Sequence, residues 1–156
     1  MTRPRAVVIG IGNEYRRDDA IGVIAARELD KLAIPGVRVT VCDGEPTRLL
    51  DSWADTDLAI VIDAVLCQPS DPGRIRRTSI QTLTGVTATS SHTLGLRDAI
   101  PLGRALDRLP RELVVITVEA ENLGPGPGLS APVEAAVPAV LDTVRQILTS
   151  TGHSET

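Results

Sequence analysis

Histidine occurs only twice in this 156-residue chain, at His92 and His153, and cysteine only at Cys42 and Cys67. Such a chain has few routes to metal or acid/base chemistry. His153 lies in a polar tail. His92 sits in Ser90-Ser91-His92-Thr93-Leu94-Gly95-Leu96, between a polar stretch and an apolar helical pattern. At or just inside a helix N-terminus, the dipole disfavours the imidazolium and keeps a neutral, ligating nitrogen. Two carboxylates are candidates to meet it. Asp63 follows the five apolar residues Leu58-Ala59-Ile60-Val61-Ile62. An acid there is costly if buried without donors or a cation, so it belongs at the mouth of the strand. Asp19 follows Asp18 at the start of a helical pattern, where Asp18 suits the N-cap and leaves Asp19 to face a cleft. Two carboxylates and one imidazole make an open-sided site for a five- or six-coordinate divalent metal, with positions left for water or substrate. Each residue also has a purely structural reading: a salt bridge for Asp63, a dipole partner for the acids, a backbone bond for His92.

Other chemistries fit less well. Gly10-Ile11-Gly12-Asn13-Glu14-Tyr15 begins like a dinucleotide fingerprint, but Tyr15 stands where the third glycine belongs. Glu14, Asp18 and Asp19 would also repel a pyrophosphate. A Ser-His-Asp triad from Ser90 or Ser91 lacks the G-x-S-x-G elbow. Cys42 and Cys67 have no local signature beside His92 and read equally well as small core residues.

The elements that must position these residues follow from periodicity. Ala6-Val7-Val8-Ile9 is a buried strand ending in the turn Gly10-Ile11-Gly12. Ile21, Ile24, Ala25, Leu29 and Leu32 recur at helical spacing until Pro35-Gly36. Val37 to Val41 alternates as a strand ended by Asp43-Gly44, and Pro46 to Trp53 suits a helix. Leu58 to Ile62 is a strand covered on both faces, closed by Asp63. Gln68 to Gly73 is a loop, Arg74 to Arg77 a charged edge strand, and a helix follows His92 to Leu106. Leu113 to Val118 is another buried strand. The Gly-Pro loop 124–128 precedes a last helix, Ala131 to Leu148, with a kink or a later start expected from Pro138. Strands alternating with helices predict an α/β three-layer sandwich: a twisted, mostly parallel sheet with helices on both faces. Ligands in such sheets bind at the carboxyl ends of the strands, where Gly10–Gly12, Asp19, Asp43 and Asp63 can converge.

Composition bounds the rest. Hydrophobic residues make up 42%, charged residues 23%, and the net charge is −4. One domain over residues 1–150 with a flexible tail at 151–156 accounts for the length. No Phe, one Trp and one Tyr imply an aliphatic core. An acidic chain without aromatic platforms argues against nucleic acid. The apolar run after the basic start is too short for a signal peptide, and no segment reaches membrane-span length. The expectation is a cytoplasmic monomer.

Residues 10–22, GIGNEYRRDDAIG, resemble the N-terminal signature of the hydrogenase maturation proteases, which trim the C-terminus of the large subunit of [NiFe] hydrogenases. The resemblance continues through Cys42-Asp43-Gly44, Ile60-Val61-Ile62-Asp63-Ala64, the His92 motif, Glu119 and Gly128-Leu129-Ser130. It implies that Asp19, Asp63 and His92 contact nickel already placed in the large-subunit precursor, so that no permanent cofactor is needed. It implies peptide hydrolysis with Asp19 or Asp63 as base, or with the metal polarising the carbonyl. The sequence leaves both routes open. It also leaves open a metal-dependent binding or chaperone module that does not cleave. One departure stands out: the strand before the last loop ends Thr117-Val118-Glu119-Ala120 in place of a Gly-x-Glu-Pro pattern.

Overall fold

The computed structural model describes the backbone of residues 5–79 and 91–153, and the side chains of 5–78 and 95–150. Among the described residues five strands form one sheet: β1 (Ala6–Ile11), β2 (Val37–Cys42), β3 (Leu58–Val65), β4 (Ile75–Ser79) and β5 (Glu112–Glu119). Their order is β2-β1-β3-β5-β4, parallel except for β4, which runs antiparallel on the β5 edge. The helices are α1 (Ile21–Lys31), α2 (Pro46–Trp53), α3 (Ser91–Ala105) and α4 (Ala131–His153), with a 3-10 turn at Arg17–Ala20 leading into α1.

Side-chain alternation along β1 sorts the two cores. Ala6 and Val8 pack with Ile21, Ala25 and Leu29 of α1 and with Val133, Val140 and Val144 of α4. Val7, Ile9 and Ile11 pack with Leu49, Leu50 and Trp53 of α2 and with Leu96, Ala99 and Ile100 of α3. The three-layer expectation holds, and the core is aliphatic apart from Trp53, whose indole N–H donates to the Arg108 carbonyl at 2.8 Å. Each buried aliphatic side chain contributes about 1.5–3 kcal/mol, so strands covered on both faces dominate the stability.

Three boundaries differ from the sequence reading. β3 does not close at Asp63; it continues to Val65, paired with β5 through Val65↔Glu119. The last helix starts at Ala131 despite Pro138 and runs past Leu148 to His153. A mid-helix proline costs about 3 kcal/mol, but Val133, Val140, Val144 and Ile147 are all buried against α1 and the sheet, and that packing outweighs it. Asp18 does not cap α1. It lies within the 3-10 turn, and the N-cap of α1 is Ala20, whose side chain makes no capping bond.

Candidate active site

The order β2-β1-β3 makes the chain leave β1 and β3 in opposite directions, which opens a crevice at their carboxyl ends. β1 pairs with β3 only as far as Gly10↔Ile62. Asp63 is the next residue of β3, just past the last β1 rung and still paired with β5 through Thr117. Its side chain is 2% exposed, and the Ala64 N–H donates to Oδ1 at 2.9 Å. Strand alternation places it on the same sheet face as Val61, the α2/α3 face.

Asp19 reaches the same crevice through the 3-10 turn. It is also 2% exposed, and its Oδ2 accepts from the Asn13 N–H, the second residue after β1, at 2.9 Å. Two glycines make this approach possible. A Cβ on Gly12 would stand 1.9 Å from the Asp19 carbonyl oxygen, and Gly12 has φ +153. A Cβ on Gly22 would stand 2.5 Å from the Ile62 carbonyl and 2.4 Å from that of Ile11. The first turn of α1 therefore seats on the ends of β1 and β3, and Asp19 is held beside the strand that carries Asp63.

His92 lies in the first turn of α3. Its side chain, that of Ser91, and Ser90 as a whole lie outside the described residues. The backbone of α3 is nonetheless placed: a Cβ on Gly95 would stand 1.8 Å from the Gly44 carbonyl. The start of α3 thus abuts the loop that ends β2, at the carboxyl edge of the sheet where Asp19 and Asp63 lie. Among the described residues no three acidic, His or Cys side chains form a metal-binding group. The described part of the candidate set is its two carboxylates.

The sequence reading missed the task of Asp18. Its fully buried carboxylate accepts four hydrogen bonds from a single loop: Ser130 N–H at 2.7 Å on Oδ1, then Glu121 N–H at 2.8 Å, Asn122 N–H at 3.0 Å and Ser130 Oγ–H at 2.9 Å on Oδ2. The adjacent acids divide the labour, Asp18 clamping the loop 121–130 and Asp19 entering the crevice. Periodicity carries no sign of this, because the partners are more than a hundred residues away.

Glu119, at the end of β5, is a second buried acid that sequence reasoning left without a role. It is 2% exposed. Its Oε1 accepts from the Asp71 N–H at 3.0 Å, and its Oε2 lies 3.6 Å from Arg76 Nε and 3.9 Å from Arg74 Nε. Burial, followed by the Glu119 charge, pushes the Cys67 thiol up from its ordinary value. Burial likewise raises Cys42, with smaller contributions from the Asp43 and Asp63 charges. Cys42 packs against the α2/α3 core. Both cysteines are free thiols held in their neutral form, which is poor chemistry for a nucleophile. No helix among the described residues is long and apolar enough to cross a membrane.

Comparison with known proteins identifies the family and the fold. A model of the hydrogenase maturation protease family matches residues 23–147. The chain is 31% identical over 153 residues to the hydrogenase 2 maturation protease of Escherichia coli, covering 95% of this chain and 93% of that protein. It is 32% identical over 157 residues to the hydrogenase expression/formation protein HupD of Bradyrhizobium diazoefficiens, covering 95% and 80%. The solved structure of the hydrogenase maturating endopeptidase HybD from E. coli superposes with a TM-score of 0.84 at 28% identity, covering 95% of this chain and 94% of that one. The chain belongs to the hydrogenase maturation protease family.

Proposed function

We propose that this peptidase removes the C-terminal extension of a nickel-loaded [NiFe] hydrogenase large-subunit precursor, and that Asp19, Asp63 and His92 contact the nickel carried by that substrate. The observation that carries the reading is that two 2%-exposed carboxylates lie where β1 stops pairing with β3, at the same edge of the sheet where α3 seats through Gly95 on the loop that ends β2. A divalent cation delivered from outside would gain two oxygen ligands and one nitrogen ligand there. Oxygen and imidazole donors leave coordination positions for groups of the substrate.

Metal contact would fix the scissile peptide beside the two carboxylates. Hydrolysis then needs an attacking water, a base to take its proton, and stabilisation of the charge developing on the carbonyl oxygen. Asp19 or Asp63 would serve as the base, or the substrate's own metal would polarise the carbonyl. The enzyme works in the cytoplasm as a monomer docked one to one on the precursor, with no resident cofactor. The test is incubation with nickel-loaded and nickel-free precursor, followed by intact mass. Loss of a discrete C-terminal peptide only from the loaded form is the expected result. Cleavage indifferent to nickel would overturn the recognition step, and no cleavage of either form would overturn the reaction.

A further inference from the structure

The chain has two aromatic side chains apart from its histidines, and they have opposite fates. Trp53 is 1% exposed in the core, whereas Tyr15 is 72% exposed, four residues before Asp19. Tyr15 stands on a rim that is rigidly built. Its N–H donates to Asn13 Oδ1 at 2.9 Å, and its carbonyl accepts from Gly126 N–H at 2.8 Å. Arg16 forms a bridge with Gly126, and Arg17 N–H donates to the Gly126 carbonyl at 2.9 Å. Arg17 adopts φ +45, unusual for a non-glycine residue. Its Nε–H donates to the Pro125 carbonyl at 3.3 Å, and the Asp18 clamp holds the partner loop in place. Strain of this kind persists only where surrounding contacts impose it, and it gathers at ligand clamps.

The charges on this rim are unequal in their commitments. Glu14 is taken by Arg27 at 2.9 and 3.2 Å. Arg16 and Arg17 are exposed, and neither forms an ion pair among the described residues. Beside them opens a cleft of about 480 Å³ lined by Arg17, Glu121, Asn122 and residues 127–130. At Gly128 nothing lies within 4 Å of where a Cβ would stand, so its backbone faces open space. The acid Glu121 lies in the same lining, which favours placing an anionic group at the Arg17 end.

We propose that Tyr15, Arg16 and Arg17, with the adjoining cleft, form the surface that grips an extended, carboxylate-bearing segment of the precursor protein and delivers it to Asp19. The proposal rests on the processing reading above and names the enzyme's half of that interface. Tyr and Arg are the residues that most often anchor protein interfaces. A preformed rim lowers the ordering cost of docking.

The test separates binding from cleavage. Association of labelled, nickel-loaded precursor is followed at low and high salt, and product mass is read in the same samples. Arg16→Glu should slow association about tenfold at low salt and flatten its salt dependence. Tyr15→Ala should speed dissociation about tenfold. Arg145→Glu changes the net charge equally but lies on α4 near Leu148, whose carbonyl accepts from Arg5 at the opposite edge of the sheet; it should do neither. Equal behaviour of Arg16→Glu and Arg145→Glu would overturn the proposal, as would a wild-type protein that does not associate with the precursor. Association weakened by the rim variants without any change of mass would uphold the rim and overturn the processing reaction instead.

Discussion

Two corners of the carboxyl edge of this sheet hold buried acids, and they are built differently. At the β5–β4 corner, Glu119 lies within 4 Å of the guanidinium groups of Arg74 and Arg76, each about half exposed. At the β1–β3 corner, Asp19 and Asp63 each accept a backbone N–H, from Asn13 and Ala64, among their contacts. The Glu119 corner is already furnished with cations that would repel a metal. Its work is to pin the loop 67–73 onto β5. The β1–β3 crevice presents two acids at a strand-order reversal, where an incoming cation is attracted.

The sharpest way to break this contrast is to neutralise one acid at each corner. Asp63→Asn and Asp19→Asn should each lower precursor cleavage about a thousandfold, the scale of losing a group that stabilises transition-state charge. Glu119→Gln should leave cleavage within a few-fold of wild type. Single-turnover assays by mass would show it, and equal losses at both corners would erase the distinction. Next in size is Asp18→Ala, which strips four donors of a buried, charged acceptor. Hydrogen bonds to charged groups are worth about 1.5–3 kcal/mol each, and neighbouring losses do not add. A fall of about 3 kcal/mol in urea-unfolding stability is expected, with the loop 121–130 gaining amide exchange first. A loss under about 1 kcal/mol would mean that the loop is held by other contacts.

These two acids also mark what a sequence can and cannot disclose. The strands, the parallel sheet and the carboxyl-edge location of Asp19 and Asp63 were legible because apolar period and strand order are local signals. Helix α2 matched from Pro46 to Trp53. The edge role of the Arg74 segment was legible from its charges, and β4 is indeed the outermost strand. Asp18 was misread as a cap because its partners are residues 121–130, and no local pattern reports a contact across that distance. The reach of β3 to Val65 was missed because an acid inside a strand looks like its end; pairing with β5 pulled it onward. The bringing together of Asp19 and Asp63 depends on Gly12 and Gly22, whose value lies in the backbone atoms they admit. His92 was legible from its rarity and its place at a helix start, the family resemblance pointed to the same residue, and the structure adds the position of its helix.

Glu119→Gln sharpens the comparison from the other side. Glutamine keeps an acceptor for the Asp71 N–H but loses the charge facing two half-exposed arginines. After solvent screening, a loss of about 1 kcal/mol is expected by thermal or urea unfolding. Cys67 provides a local reporter. Burial raises its pKa first and the Glu119 charge second, so removing that charge lowers the pKa and leaves the burial contribution. At neutral pH, iodoacetamide should label Cys67 faster in Glu119→Gln, with Cys42 unchanged, as read by peptide mass. A Cys67 rate insensitive to the substitution would remove Glu119 as its electrostatic neighbour.

The smallest effect expected is at Glu45, an exposed acid that contrasts with both buried corners. It is the N-cap of α2, and its side chain accepts from Thr47 N–H and Arg48 N–H, each at 3.2 Å, and from the Thr47 hydroxyl. The Thr47 hydroxyl and N–H contacts, in that order, hold its pKa below the ordinary 4.5. A depressed carboxylate pKa means the unfolded chain takes up the proton first as pH falls. The Glu45 contribution is therefore complete above pH 4.5 and is lost as pH drops through the lower folded value. Solvent screens this group fully, so the change in midpoint temperature should be small. Its sign is definite: Glu45→Gln should flatten the acid limb of thermal midpoint against pH, most clearly in the far-ultraviolet signal of α2. A steeper acid limb in the variant would mean that the cap works through the neutral acid and that the charge at this helix start is incidental.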